Sequence, residues 1–378
     1  AHDNPNSFLH IIRAEIDMPD TLSAYAPEVY AKAKSNFAEM VAKGIFSKDP
    51  TKSLYLYAQT MHGKRQVGIV CGTSIDDYLN DNIKKHEYTR PAKEKDRITH
   101  IGTTNLQSGP VLMAYPHVAD IDQLVADITS AQTPEYDFVA SDGIGHTLWL
   151  VQDTAVISRL TQLFAEQVPY LYIADGHHRA ASSTKVGLEK RKNNPDHTGS
   201  EDYNFFLSVV FPDNQLAIFD YNRVVGDLNG LSSDEFLAAV AEQFTVTKTD
   251  TAFKPSKAYE FGMYLGKQWY ILVANSATIA SDDPIASLDI SVLSDQLIAP
   301  ILGIVDQRTD DRIDFVGGIR GLQELERRVD SGEMQVAFAI YPVSIAQLIS
   351  VANSGRVMPP KTTWFEPKLR SGLVVREI

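Results

Sequence analysis

Residues 170–179 read Tyr170-Leu171-Tyr172-Ile173-Ala174-Asp175-Gly176-His177-His178-Arg179 and carry the main indication of the fold. The apolar and aromatic first half predicts a buried strand. The second half is a glycine turn, and residues 180–190 after it are expected to form a helix. A strand that passes through a glycine into a helix N-terminus points backbone N–H groups at a ligand, and that helix end favours anions.

The polar side chains of this turn add to the anion prediction. Arg179 offers planar donors suited to phosphate, and His177 and His178 can titrate near neutral pH. The alternative is a polar turn whose side chains cap the helix. We favour a ligand site, because an acid, two histidines and an arginine exceed what a turn requires.

Composition limits the class of protein and its partners. A chain of 378 residues is expected to form about two domains. Its 44% hydrophobic and 22% charged residues are typical of a globular protein. The net charge of −13 argues against a duplex nucleic-acid partner, because such binding comes mainly from Lys and Arg that neutralise phosphates. No apolar run reaches the about 18 residues of a membrane span.

Cysteine use indicates the compartment. Cys71 is the only cysteine, so an intrachain disulfide and a cysteine-rich zinc site are excluded, and we expect a reducing cytoplasm. The sequence opens at Ala1 rather than Met, so an earlier segment, including a targeting segment, is left open.

The periodicity of apolar residues predicts a mixed α+β chain in three parts. Residues 1–230 form a core with N-terminal elements, including a hairpin between Leu54 and Gly72. Residues 231–285 form a small α+β insertion that begins with a serine-capped helix. Residues 286–378 form a C-terminal segment that returns to the core.

A second polar cluster lies at residues 84–97. Glu87 is a candidate general base, and Arg90 with two later cations suits phosphate or carboxylate groups. The alternative is a solvated helix with charge pairs between neighbouring turns. We favour the solvated helix for Glu94 and Lys95, and leave both interpretations open for Glu87 and Arg90.

Residues 359–368 are too rich in proline and aromatic side chains for a helix or a free end. Lys361 and the hydroxyl of Thr362 suit a phosphate or a substrate carboxylate. The alternative is a tail docked by Trp364 and Phe365, and both interpretations stay open.

The acids and histidines of the chain are possible metal ligands. The adjacent histidines of the glycine turn point about 100° apart on a helix, so they do not easily face one ion. A zinc site would need a distant partner such as His86 or His146, and His146 itself is interpreted as structural. A divalent ion that bridges phosphates and is held by Asp175 or Glu87 is the favoured metal hypothesis. No Walker-A, dinucleotide or protein-kinase motif is present.

Five segments together resemble a known family. They are Asn4–His10, Arg13–Asp17, His86–Pro91, Ala174–Arg179 and Met358–Phe365. Over essentially its whole length the chain resembles the bacterial and archaeal family catalogued as domain of unknown function 1015. Members of that family usually begin with a longer segment that carries a Pro-Pro-Tyr-Asp-Val turn, which this sequence lacks.

The segment Asp175–Arg179 is also similar to the nucleotide-binding motif of ParB-like and sulfiredoxin-like proteins. It is most similar to the free-serine kinases, which phosphorylate L-serine with ADP or ATP and magnesium. Sulfiredoxins carry a cysteine in the motif where this chain has His177, which argues against sulfinic-acid reduction. The net charge and the lack of a basic helix-turn-helix argue against the DNA clamp of the ParB branch.

These resemblances imply a fold and a reaction. The fold is an α+β ParB/sulfiredoxin-like core with flanking elements and a smaller α+β insertion. The reaction is transfer of phosphate from ATP or ADP, with Mg²⁺, to a hydroxyl of a small molecule, most simply free L-serine. The residues implied for the phosphates are Gly176, His177, His178 and Arg179. Asp175 and Glu87 are alternatives for the base and the magnesium contact, and the residues implied for the substrate are His86, Arg90, Lys361 and Thr362.

Other functions remain as alternatives. A nucleotide-binding sensor or scaffold protein would use the same phosphate site without turnover. A metal-dependent hydrolase would require tightly bound zinc or manganese. A homodimer is left open.

Overall fold

The computed structural model describes residues 3–275, 277, 279–280 and 282–378. It divides into two units. The first comprises residues up to Leu216 together with Pro367–Ile378, and the second is Ala217–Glu366. Helices and strands alternate in both units, so the mixed α/β class is confirmed. The domain limits at 230 and 285 stay a prediction.

The elements are numbered in chain order. The helices are α1 Leu9–Ile12, α2 Pro27–Ala42, α3 Ile75–Leu79, α4 Pro91–Thr104, α5 Ala119–Ala131, α6 Thr154–Gln167, α7 His177–Asn193, α8 Ser233–Gln243, α9 Asp289–Leu293, α10 Leu322–Asp330 and α11 Ile345–Asn353. The strands are β1 Leu54–Met61, β2 Lys64–Ser74, β3 Ile83–Lys84, β4 Leu106–Gln107, β5 Val111–Tyr115, β6 Tyr136–Val139, β7 Gly145–Val151, β8 Leu171–Asp175, β9 Phe205–Pro212, β10 Ile218–Phe219, β11 Tyr221–Val225, β12 Phe244–Thr249, β13 Glu260–Leu265, β14 Gln268–Ala274, β15 Ile313–Gly317, β16 Val336–Ile340, β17 Trp364–Phe365 and β18 Arg376–Glu377. Short 3₁₀ turns are Ala14–Asp17, Asp202–Asn204, Asp213–Gln215 and Gly318–Arg320, and a π turn is Ser294–Ile298.

The sheet of the first unit has, among the described residues, eight strands in the order β3-β8-β5-β9-β2-β1-β7-β6. The predicted hairpin is confirmed as β1 and β2, which pair antiparallel around a turn with positive φ at His62 and Gly63. Strand β8 pairs parallel with β3 and antiparallel with β5. The pairing with β5 is irregular, because the register shifts between Leu112 and Met113 near the end of β8.

The core of the first unit lies between this sheet and its helices. Ile173 of β8 is fully buried beside residues of β5, β2 and β9, among them Val111, Met113, Ile69 and Phe206. Burying a side chain of this size stabilises the fold by about 1.5–3 kcal/mol. The end of β8, where the polar turn begins, is therefore anchored in the buried core of the unit.

Helices α4 and α7 pack closely because α7 is built from small residues. Ala180 to Thr184 are all buried, and no bulky side chain separates the helix from its neighbours there. At Gly187 a Cβ would collide with the carbonyl oxygen of Tyr203 and lie 2.7 Å from Ile75 Cδ1. Only glycine permits this approach of α7 to the chain around it.

The second unit contains an antiparallel sheet with, among the described residues, the order β12-β14-β13-β16-β11-β15. Its helix α8 begins with the predicted serine cap, a capping box of Ser232 and Glu235. Residues 231–285 supply β12, β13 and β14, while β11, β15 and β16 of the same sheet lie outside that range. In the described part of the chain, the length and hydropathy of every helix fall short of a membrane span.

Candidate anion-binding site at the start of α7

The predicted strand, glycine turn and helix at residues 170–190 are confirmed. Strand β8 ends at Asp175, Gly176 takes φ 103°, and α7 begins at His177. A Cβ on Gly176 would lie 3.4 Å from the Cα of Val111, and its φ is one that side-chain-bearing residues rarely adopt. The first N–H groups of a helix have no partner within the helix, so this turn presents donors and a positive dipole end to an anion.

Asp175 lies between two cations at this turn. Lys368 Nζ is 3.0 Å from Asp175 Oδ2. Burial alone would raise the pKa of Asp175, but Lys368 and Arg179 hold that pKa below its usual value. Arg179 also donates to the carbonyl oxygen of Pro110, which fixes the guanidinium beside the turn. Asp175 is therefore a carboxylate at neutral pH and neutralises only one of its two cations.

His86 and His177 form a buried pair behind the turn. Their ring centroids are 4.5 Å apart at an interplanar angle of 89°, and the backbone N–H of His86 donates to His177 Nε2 at 3.5 Å. Burial lowers the pKa of His86 to about 4 and, with the charges of His86 and His178, lowers the pKa of His177 well below its ordinary value. Both rings are neutral at pH 7. Because Nε2 of His177 accepts, its proton sits on Nδ1, which lies 3.8 Å from Glu87 Oε2.

His178 holds the second polar cluster against the same helix end. Its Nε2 accepts the backbone N–H of Arg90 at 2.9 Å. Burial and then the nearby Lys93 lower the pKa of His178, so this ring is also a neutral acceptor. The structure thus brings His86, Glu87 and Arg90 together with the glycine turn.

Glu94 is not on a solvated helix face, and that prediction was wrong. Its side chain is buried and accepts from the hydroxyl of Thr89 and from Lys185 Nζ. Burial would raise the pKa of Glu94, and the bonds from Lys185 and Thr89 bring it below its usual value. The physical reason is that α4 turns this face toward α7, where Ser182 donates to the Glu94 carbonyl at 3.3 Å.

Lys361 and Thr362 belong to the second unit. Lys361 has φ 56° and its Nζ lies 5.7 Å from the ring centroid of Tyr221. Thr362 is buried, and its hydroxyl donates to the carbonyl oxygen of Pro359 at 2.6 Å. Their part in substrate binding stays a prediction.

Lys368 belongs to the candidate site through its bond to Asp175, and the sequence did not indicate it. It is the last residue of the proline-rich segment from which Lys361 was chosen, and it belongs to the first unit. The only indication in the sequence was its position at the end of the proline-rich segment, which is too rigid to be a free tail. Nothing in its sequence neighbourhood connects it with Asp175, which lies 193 positions earlier.

A metal ion would find few protein ligands. Across the described ranges, no group of three or more His, Cys, Asp or Glu side chains is arranged to hold one. His146 instead bonds Tyr57 at 2.7 Å, in keeping with its structural interpretation. Mg²⁺ needs only one or two carboxylates when phosphates and waters complete its shell, so Asp175 and Glu87 fit that role.

These features define a mixed α/β protein with a glycine turn, between a strand and a helix, whose donors are suited to an anion. The chain belongs to the family described as "Protein of unknown function (DUF1015)", whose model matches residues 1–291. The resemblance to that family is confirmed. A comparison with curated proteins finds no match.

Solved structures show distant likeness. A free serine kinase variant in complex with AMP is 13% identical over 78% of this chain and 87% of that chain, with a TM-score of 0.39. A C-terminally truncated SbnI from Staphylococcus aureus is 11% identical over 80% of this chain and 84% of that one, with a TM-score of 0.40. A conserved hypothetical protein from Pyrococcus furiosus is 14% identical over 80% and 93%, with a TM-score of 0.36. At these values the likeness carries no functional inference.

Proposed function

We propose that this protein transfers a phosphoryl group from ATP or ADP to the hydroxyl of a small amino acid, with free L-serine as the first candidate. One observation carries the proposal: cations concentrate at the start of α7 in a chain whose net charge is −13. Arg90, Lys93 and Arg97 act electrostatically on His178, while Arg179 and Lys368 act on Asp175. Such a local excess suits a polyphosphate, because phosphoryl transfer depends mainly on positioning and charge neutralisation.

The residues divide into two groups by their charge. Gly176 and the first turn of α7 offer N–H groups to the phosphates, and Arg179 offers a fixed guanidinium. The side chains of His177 and His178 are neutral acceptors that hold residues 86–90, so we assign them to positioning. His177 and His178 would contact phosphate through their backbone N–H groups rather than through their rings.

Glu87 is the better candidate for the base. A base works best when its pKa lies near the working pH, and Asp175 is held below its usual pKa by two cations. Glu87 is 46% exposed and faces the neutral ring of His177. In the proposed step the acceptor oxygen attacks the terminal phosphorus, the bond to the bridging oxygen breaks, and the hydroxyl proton passes to Glu87. The nucleotide leaves one phosphate shorter.

Asp175 is then assigned to the cation that accompanies the nucleotide. Bound Mg²⁺ would neutralise phosphate charge, and we assign Asp175 as its carboxylate contact while Glu87 acts as the base. We place the reaction in the cytoplasm, since the one cysteine makes no disulfide. A ParB/sulfiredoxin-like core remains our interpretation of the first unit.

The test is transfer of labelled phosphate from ATP or ADP to a panel of hydroxy amino acids, with and without Mg²⁺. Glu87→Gln should lower the rate by about 10²–10⁴ and leave nucleotide affinity within a factor of about three. Glu189→Gln, an exposed acid on the same helix α7, is the matched control and should keep the wild-type rate. Nucleotide binding without transfer to any acceptor would contradict the kinase proposal and indicate a nucleotide-binding sensor.

A further inference from the structure

The C-terminal segment Pro367–Ser371, here called the strap, is fixed to the sheet of the first unit. Its first attachment is at Lys368, whose carbonyl oxygen accepts from Gln59 Nε2 at 2.9 Å. Gln59 is fully buried in β1 and is itself held by Gln66 Nε2 at 3.1 Å. The backbone at Lys368 is therefore bonded to a rigid amide pair.

The second attachment is at Arg370. Its Nε donates to His146 Nε2 at 3.3 Å, and its guanidinium bonds Asp142 at 2.5 Å. The neutral ring of His146 consequently carries its proton on Nδ1 and donates to the oxygen of Tyr57 at 2.7 Å. Tyr57 and His146 are 3% and 1% exposed, so this attachment is built on the buried part of β1 and β7.

The strap presents Lys368 to Asp175 in an open place. The side chains of Lys368 and Asp175 are 48% and 39% exposed. An ion pair this open contributes about 0–1 kcal/mol. That is small beside the bonds that attach the strap, of which those to Gln59 and His146 are partly buried. Stabilisation by the pair alone therefore does not account for the strap.

The charges at Asp175 point to a different role. Lys368 and Arg179 both approach this one carboxylate, beside a helix end that already favours anions. A lysine is a compact charge on a flexible stem, so it can exchange one oxygen partner for another at small cost. Lys185, which lies further along α7, is instead bonded to the buried Glu94.

We infer that Lys368 is a phosphate-contacting residue, delivered to the nucleotide by the strap. This rests on the proposed function, since the ligand is the phosphate chain of a nucleoside di- or triphosphate. On binding, Lys368 Nζ donates to a phosphate oxygen in place of Asp175, whose carboxylate becomes available to the accompanying cation. Arg370 is a positioning residue in this arrangement.

The experiment measures ADP affinity by calorimetry in EDTA, so that Asp175 has no metal to bind. Lys368→Met should weaken ADP binding about tenfold or more, the usual effect of losing a bond to a charged group. Lys368→Arg should stay within a factor of about three of the wild type. Lys192→Met, at an exposed lysine in the last turn of α7, is the matched control and should bind as the wild type does.

Asp175→Asn separates a phosphate contact from a merely structural pair. If Lys368 contacts phosphate, removing the carboxylate frees it and ADP affinity in EDTA is kept or increased. Equal losses in Asp175→Asn and Lys368→Met would overturn the inference, because both variants break the same ion pair. Thermal unfolding of each variant identifies a folding defect. If Lys368→Met has such a defect, Lys368→Arg, which keeps the positive charge, still allows ADP affinity to be compared with that of the wild type.

Arg370→Gln tests the strap itself. It should weaken ADP binding in the wild-type background and add little in the Lys368→Met background, since it acts through that lysine. Additive losses would contradict a positioning role. If the wild type transfers phosphate and Lys368→Met keeps the wild-type ADP affinity, the inference about Lys368 is overturned and the kinase proposal is not. ADP binding that depends on Lys368 without any transfer would contradict the kinase proposal and leave the phosphate contact standing, and no ADP binding by the wild type would overturn both.

Discussion

The buried His86 should make the first unit less stable in mild acid. Its pKa is lowered to about 4 by burial, against which the Ile173 carbonyl and Asp175 act only in part. In the unfolded chain a histidine titrates at about 6.5. Below that pH the unfolded chain binds more protons than the folded one, so stability is highest above pH 6.5 and falls as the pH falls.

The size of the effect follows from the two pKa values. At pH 5 the unfolded histidine is almost fully protonated, whereas about one tenth of folded His86 is. The difference corresponds to a loss of about 2 kcal/mol between pH 7 and pH 5 from this residue alone. Burial is also the main cause that lowers the pKa values of His177 and His146. These two residues therefore add to the loss of stability on acidification.

The assay is native-state hydrogen exchange of the β5 and β8 amides at pH 7 and pH 5, without nucleotide or metal and corrected for intrinsic exchange rates. The comparison is between the wild type and His86→Gln, which has no titrating ring. The variant should be less stable at pH 7 through lost packing, yet its stability should fall by about 2 kcal/mol less on acidification. His62→Asn, in the exposed β1–β2 turn, should keep the wild-type dependence. Equal pH dependence in the wild type and His86→Gln would refute the reasoning.

Two packing predictions concern single residues. Gly187→Ala should lower the thermal stability of the first unit by about 2 kcal/mol, because the new Cβ has no room, whereas Gly102→Ala in α4, with open space around it, should raise stability by up to about 1 kcal/mol. Arg223→Met should destabilise the second unit by about 3 kcal/mol in urea unfolding, because the buried guanidinium donates to the Pro360 and Lys361 carbonyls at 2.9 Å and these would lose their donor. The control Arg308→Met, at an exposed arginine, should change stability by less than about 0.5 kcal/mol. A loss at Arg308 as large as that at Arg223 would contradict the argument that burial sets the cost of losing the guanidinium.

The parts of the fold that local chemistry determines could be predicted from the sequence. The turn at Gly176 needs only a buried strand, a residue free to take positive φ and a helix-forming segment, and all three are contiguous. The β1–β2 hairpin is equally local, since its register follows from the alternation of side chains around one short turn. In both cases the competing structures are few.

The parts that depend on distant packing could not be predicted in this way. Glu94 lies in a run of charges that is typical of a solvated helix, and its burial follows from the close approach of α7, whose Lys185 is 91 positions away. Lys368 reaches Asp175 only because the strap is bonded to β1 and β7. A sequence pattern reports which residues are suited to a site, whereas these contacts depend on which surfaces meet.

The histidines at the start of α7 suit an anion site although they are neutral and supply none of its positive charge. His177 and His178 each accept a backbone N–H from residues 86–90, a bond that only the unprotonated ring nitrogen can make. A lysine or arginine in either place would have no acceptor for that N–H, and residues 86–90 would lose their attachment to the helix. The positive charge is instead supplied by Arg179 and Lys368, which are held by a carbonyl oxygen and by the strap. Neutral rings therefore position the candidate base, while separate cations are available for the proposed phosphates.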